Sequence, residues 1–216
     1  LSQLFIVFSF FIVFKFSREI LNNEILALFS VFLLEGIYFY NFTTPEFNVN
    51  VCQLPFWSLT VYYSWKIFSK KFIDFKDCIF LGVFAAIGFL SKYLFIYLLI
   101  SIDLLFFYLI FILKDRKFDS KYYIIFAIFI LILIPHIIWL TNNDYITITY
   151  GLARTDFEQS NILDHISLPL TFIVKQIGTI VPFLILIMFL VKKIKFRLNF
   201  KDKKLIFLII INLVPI

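Results

Sequence analysis

The sequence predicts an all-α integral membrane protein, a polytopic helix bundle of about eight spans. Three observations carry this reading: an apolar excess, the length of the apolar runs, and the confinement of basic residues to alternate connections. Of the 216 residues, 62% are hydrophobic and 16% charged, and the mean hydropathy is +0.97. A soluble domain carries about 25% charged residues, so too little polar side chain is present to coat a surface facing water. Disorder is excluded for the opposite reason, since it requires low hydrophobicity.

A spanning helix needs about 20 apolar residues. Such runs fall at 1–14, 25–41, 51–67, 78–91, 93–113, 122–140, 168–191 and 205–216. The chain opens at Leu1 and closes inside LIFLIIINLVPI, so the first and last spans read as cut and the chain as a segment of a longer protein. The stretch 78–113 needs a decision. As one helix it would run about 54 Å, against a hydrocarbon core of about 30 Å. A break around Gly88, Ser91, Lys92 and Tyr93 gives two spans joined by a tight turn.

Charge distribution favours the break. With it, the connections 15–24, 66–77, 114–121 and 192–204 share one face and carry seventeen of the twenty Lys and Arg residues. Without it the basic residues divide between both faces. By the positive-inside rule the basic face is cytoplasmic. The net charge of +6 then reflects the anionic leaflet and not a nucleic-acid partner. The opposite face receives the loop 42–50, the turn at Lys92 and the segment 141–167. Cys52 and Cys78 lie at opposite membrane faces and cannot form a disulfide. No repeat, linker or charge run marks a second domain, so residues 1–216 read as one unit.

The outer face collects the candidates for chemistry. Asp156, Glu158, Asp164 and His165 fit a solvated rim, where charges ordinarily sit. Lys92 lies between two apolar spans, where an ammonium must snorkel or find an anion. A phosphate at headgroup depth suits its compact charge. Lys175, inside the span that begins near 168, is a functional candidate by its position alone. Arg154 offers a planar fork for bidentate phosphate contact. Glu46 follows Thr44-Pro45 and reads either as the acid of a transfer or metal site or as an acid favoured in a first helical turn. His136, after Pro135, fits a hydrogen-bonded interface residue. Glu35 and Asp103 are acids within spans. Phosphate-cradling glycine loops, Ser/His/Asp signatures and Cys/His metal spacing are missing from the sequence, and the acids of the outer face would suit a divalent cation, which takes hard oxygen ligands. The Asn41-Phe42-Thr43 sequon is a common chance match.

Three segments, in order, resemble a known family. TTPEFNVNVCQLPFWSLTVYYSWK, GVFAAIGFLSKYLFIYLL and PHIIWLTNNDYITITYGL are similar to the outer-loop, Leu-x-Lys and Pro-x-x-Trp segments of bacterial membrane glycosyltransferases. These are the enzymes related to the dolichyl-phosphate-mannose protein mannosyltransferases and the lipid A aminoarabinose transferases. The resemblance implies the GT-C architecture in a multi-pass protein of the inner membrane, with the active site on the periplasmic face. It implies inverting transfer from a polyprenyl-phosphate sugar to a lipid, lipopolysaccharide or other glycan acceptor. Lys92, with Arg154 and Lys175, would bind the donor phosphate, Glu46 would match the acid of the second outer loop, and His136 and Asp144 would line the acceptor side. The family's principal acid, its expected general base, belongs to an earlier outer loop that this sequence does not contain. The competing readings are a transporter or flippase-like protein using the same lysines as pathway charges, and a structural membrane subunit.

Overall fold

The computed structural model describes residues 1–35, 37, 45–114, 117–153, 163–190 and 202–215. All regular structure among them is helical. In chain order the α-helices are α1 (Ser2–Leu21), α2 (Glu24–Glu35), α3 (Val49–Ser69), α4 (Phe75–Ser91), α5 (Ile96–Phe107), α6 (Tyr122–Asn142), α7 (Ile146–Ala153), α8 (Asp164–Leu190) and α9 (Lys203–Leu213). A 3₁₀ turn, Tyr93–Phe95, precedes α5, and a π-helical turn, Tyr108–Ile112, ends it.

Side-chain caps set several helix starts. Asn48 accepts from the amides of Asn50 and Val51 at the head of α3. Asp74 accepts from Lys76 on α4, and Asp202 from Lys204 on α9. Each satisfies an amide that the first turn leaves without a partner. Asn22, left-handed at φ 51°, ends α1, a conformation asparagine tolerates well. The helix extends past the expected span end at 14, because its last turns carry Lys15, Arg18 and Glu19 out of the apolar stretch.

The expected break is present. Helix α4 stops at Ser91, and Lys92 adopts an extended backbone, φ −162° and ψ 125°. The chain then reverses into α5. Two close approaches require glycine. A Cβ on Gly88 would stand 2.3 Å from the Phe95 ring, and one on Gly82 would stand 2.8 Å from the Ile125 carbonyl of α6. Phe95 is fully buried beneath this turn, edge-on to Trp57 of α3 with centroids 5.3 Å apart.

Helix α4 packs between α3 and α6, and α1 packs on α2 and α3. Helix α9 joins α5 and inserts Phe207 against Phe16, Trp65 and Phe68. The main core runs from Trp65 and Phe68 through Phe95, Leu98 and Leu105 to Leu109. Outside it α6 presents Phe126, Ile130, Leu131, Ile134, Ile137 and Ile138 as exposed side chains. An apolar face this continuous suits lipid and not water. Tyr93–Ile112 and Tyr122–Asn142 are, among the described residues, the two helices long and apolar enough to cross a membrane. Helices α1 and α3 have the length but carry charged or polar side chains, and α4 has 17 residues.

The basic connections gather at one end. Lys204 Nζ donates to the Ile20 carbonyl, Lys121 Nζ to the Ile73 carbonyl at 2.8 Å, and Lys70 Nζ to Asp77 at 2.6 Å. The Tyr62 hydroxyl of α3 donates to Glu19 at 2.8 Å and Phe207 of α9 packs on Phe68, so residues 15–24, 66–77, 117–121 and 202–204 share an end, as their charge suggested. The hydrogen bond from Lys70 to the Asp77 carboxylate holds the lysine above its ordinary value. Cys52 and Cys78 are both free.

Two expectations follow. Gly88→Ala should lower the unfolding midpoint in detergent, at a cost of about 1–3 kcal/mol for forcing the buried Phe95 ring to move. A raised lysine value stabilises the fold fully below the unfolded value of 10.5, and the contribution disappears as pH rises through the folded one. Asp77→Asn should therefore lower stability across the neutral region, where the contribution is fully present, and flatten the alkaline limb, so that variant and parent converge at high pH.

Candidate functional site

At the end opposite the basic connections, four elements converge on the α4–α5 reversal. The extended backbone at Lys92 points its side chain back toward the head of α3, where its Nζ donates to Asn50 Oδ1 at 2.6 Å. Ser91, one residue earlier, lies 3.8 Å from Cys52 Sγ. Lys92 is half-buried. Its charge is thus oriented by a neutral amide oxygen, which leaves the ammonium two donors for an anion. An ion pair would have cancelled that charge.

Tyr93 extends the arrangement. Its hydroxyl lies 2.7 Å from His136 Nε2 on α6 and 2.8 Å from Thr147 Oγ1 on α7. The His136 ring stacks on Trp139, with an interplanar angle of 14° and centroids 5.9 Å apart. Pro135 places this pair near the end of α6, and the turn beyond is tight. Asp144 and Tyr145 are both left-handed, at φ 49° and 54°, and the Tyr145 amide donates to the Leu140 carbonyl at 3.0 Å. That geometry folds α7 back so that Thr147 reaches Tyr93. The segment 141–167, expected to be a polar loop, thus begins with a short helix.

The sequence-derived candidates divide on this geometry. Lys92 and His136 are brought to adjacent residues of one cluster. Asp144 lies at the turn that shapes it and is exposed. Glu46 is exposed and stands ahead of the Asn48 cap, four residues from Asn50. The first turn of α3 holds no acid, so a first-turn dipole role does not apply to Glu46. Lys175 sits about three turns into α8, deeper than expected because the helix begins at Asp164 rather than near 168. Its side chain is exposed, and the contacts described do not join it to the Lys92 cluster. Arg154, Asp156 and Glu158 lie outside the described residues, as do the side chains of Asp164 and His165. Asp103, on α5, opens into an apolar groove of about 200 Å³ lined by Leu81, Ala85, Phe106 and Phe129, apart from this cluster.

Sequence reasoning missed Asn50, Tyr93, Thr147 and Trp139 as members of the site. The adjacent Lys-Tyr at a helix break was a usable signal, because two polar residues at a turn between apolar spans must find partners. Among the described residues no group of three or more His, Cys, Asp or Glu side chains is placed to hold a metal ion.

Removing the amide oxygen tests the geometry. Asn50→Leu should destabilise the fold by about 1.5–3 kcal/mol, the scale of a hydrogen bond to a charged group. Asn50→Asp should keep the fold but pair with Lys92 and weaken anion binding there, measurable by phosphate-dependent protection of Lys92 from amine-reactive labelling.

Neither the curated proteins nor the solved structures contain a significant match to the chain. One family model, Dolichyl-phosphate-mannose-protein mannosyltransferase, matches residues 1–139. The match takes in α1 to α6 up to Trp139, and so includes Asn50, Lys92, Tyr93 and His136 but not Thr147. The chain belongs to the dolichyl-phosphate-mannose-protein mannosyltransferase family of GT-C membrane glycosyltransferases.

Proposed function

We propose that the chain forms part of a glycosyltransferase that takes a sugar from a polyprenyl-phosphate donor. The acceptor is a lipid, a lipopolysaccharide or another glycan, and transfer inverts the sugar. The observation that carries this reading is the placement of Lys92. It is a half-buried ammonium held by a neutral oxygen at 2.6 Å, at the end of the bundle away from the basic connections. A cation so held stabilises charge that develops on a departing phosphate. It costs less than a fully buried lysine, because it sits at a helix reversal within reach of headgroups.

In this reading the protein is a multi-pass protein of the inner membrane with about eight spans, and the Lys92 end faces the periplasm. Lys92 binds the donor phosphate, and Arg154 supplies a second cationic contact. Glu46 is the acid near the phosphate, and His136 and Asp144 line the acceptor side. Lys175, exposed on α8, supplies a further cation to the same donor phosphate. The site supplies position and charge for the reaction. The proton of the acceptor hydroxyl must pass to a base.

Transfer of label from a radiolabelled polyprenyl-phosphate sugar, followed into lipid, lipopolysaccharide and protein fractions, tests the proposal. Lys92→Ala should lower turnover about 100-fold, the scale of losing one stabilising charge contact, and Glu46→Ala should lower it about tenfold or more. Unchanged transfer in both variants, with normal membrane insertion, would place the site elsewhere. Orientation has its own test. With Cys52 and Cys78 replaced by serine, a membrane-impermeant maleimide added outside should label Asn143→Cys and spare Lys117→Cys. The reverse pattern would turn the protein over.

A further inference from the structure

The Tyr93 hydroxyl is shared between two partners, and its single proton can serve only one of them. A phenol, with an ordinary pKa of about 10, is a far stronger acid than an aliphatic alcohol, and imidazole is the strongest base of the three groups. The favoured arrangement therefore has Tyr93 donating to His136 Nε2 at 2.7 Å and Thr147 donating to the Tyr93 oxygen at 2.8 Å. With Nε2 accepting, the neutral ring carries its proton on Nδ1.

Among the described residues no side chain or carbonyl takes that Nδ1 proton, and no carboxylate lies within ion-pair distance of the ring. The other titratable groups at this end of the elements around it are Lys92 at the break, Tyr97 on α5, Asp144 and Tyr145 at the turn after α6, and Tyr150 on α7, while Lys76, Asp77 and Cys78 of α4, Asp103 of α5 and Tyr122 and Tyr123 of α6 lie further along their helices. Trp139 stacks on the His136 ring, and the Tyr93 ring lies 5.9 Å away with Phe89 behind.

We infer that Tyr93 is a positioning residue that fixes His136 in the Nδ1–H tautomer, so that the imidazole donates a hydrogen bond to a substrate oxygen beside Lys92. In that state His136 is not the base of the reaction. The inference rests on the proposed function for the presence of substrate at this end, but not for the tautomer. Thr147 has a separate job, as the tie that holds α7 to the same hydroxyl.

Two readouts test it on the full chain in lipid nanodiscs. The chain has two histidines, so His165→Gln leaves His136 as the single ¹⁵N-labelled imidazole. Its nitrogen shifts should show a protonated Nδ1 and an unprotonated Nε2 at neutral pH. Tyr93→Phe, which keeps the ring contacts, should move the ring to a mixture of tautomers, and Thr147→Val should leave it as in the parent protein. A protonated Nε2 in the parent, or a spectrum that Tyr93→Phe does not change, overturns the inference whether or not transfer is seen. In the transfer assay with the radiolabelled polyprenyl-phosphate sugar, Tyr93→Phe should raise the acceptor KM about five- to tenfold with kcat within about twofold. A fall in kcat at unchanged KM would make His136 a proton carrier and overturn the donor role. A tautomer shift with no transfer in any form of the protein would overturn the functional reading and with it the donor role.

Discussion

The structure depends on the reversal at Lys92. A chain this apolar has few places where a cation can sit at the membrane boundary, and this one is built by two constraints acting together. Gly88 lets Phe95 fold under the end of α4, which closes the turn. The extended Lys92 backbone then directs the ammonium across to Asn50 at the head of α3. Because Asn50 follows the Asn48 cap, the partner of the lysine is fixed by the same loop that starts the helix. The energetic preference for a partnered ammonium and the steric requirement for a glycine thus point to one conformation.

The bilayer accounts for features that would be faults in water. Prolines inside α3 and α6 each remove a helix hydrogen bond, a loss that packing against neighbouring helices tolerates in a membrane. Pro135 precedes His136, so the loosened ladder lies where α6 has to present polar side chains near its end. The exposed apolar face of α6 lies between this polar end and the Lys121 end, which donates to Ile73. Apolar surface at the middle and polar contacts at both ends are the division a spanning helix requires.

Much of the architecture was legible because hydropathy and charge are additive along the chain. The break within 78–113 followed from length together with the distribution of basic residues, and its placement at Lys92 matches the end of α4 at Ser91. The grouping of residues 15–24, 66–77, 117–121 and 202–204 followed from charge, and Lys204 on Ile20, Lys121 on Ile73, and Phe207 on Phe68 physically join those segments. The limits of α1 and α8 were less legible, since helices continue past the apolar stretch wherever backbone geometry and caps permit. The site was legible only as a set of outlying charges. Lys92 and His136 stood out as polar residues in apolar surroundings, while Asn50, Tyr93 and Thr147 are ordinary residue types that gain meaning from their distances.

The sequence by itself determined that this chain is helical, apolar and charged mainly on one side, because those properties depend on composition and spacing. Tertiary structure decided which polar residues meet. Residues 42 and 43 positions apart, Asn50 with Lys92 and Tyr93 with His136, come together only when α3, the reversal and α6 pack side by side. A hydrogen bond needs its atoms about 3 Å apart in the right direction, and no pattern of residue types specifies a distance across helices that pack only after the chain has folded.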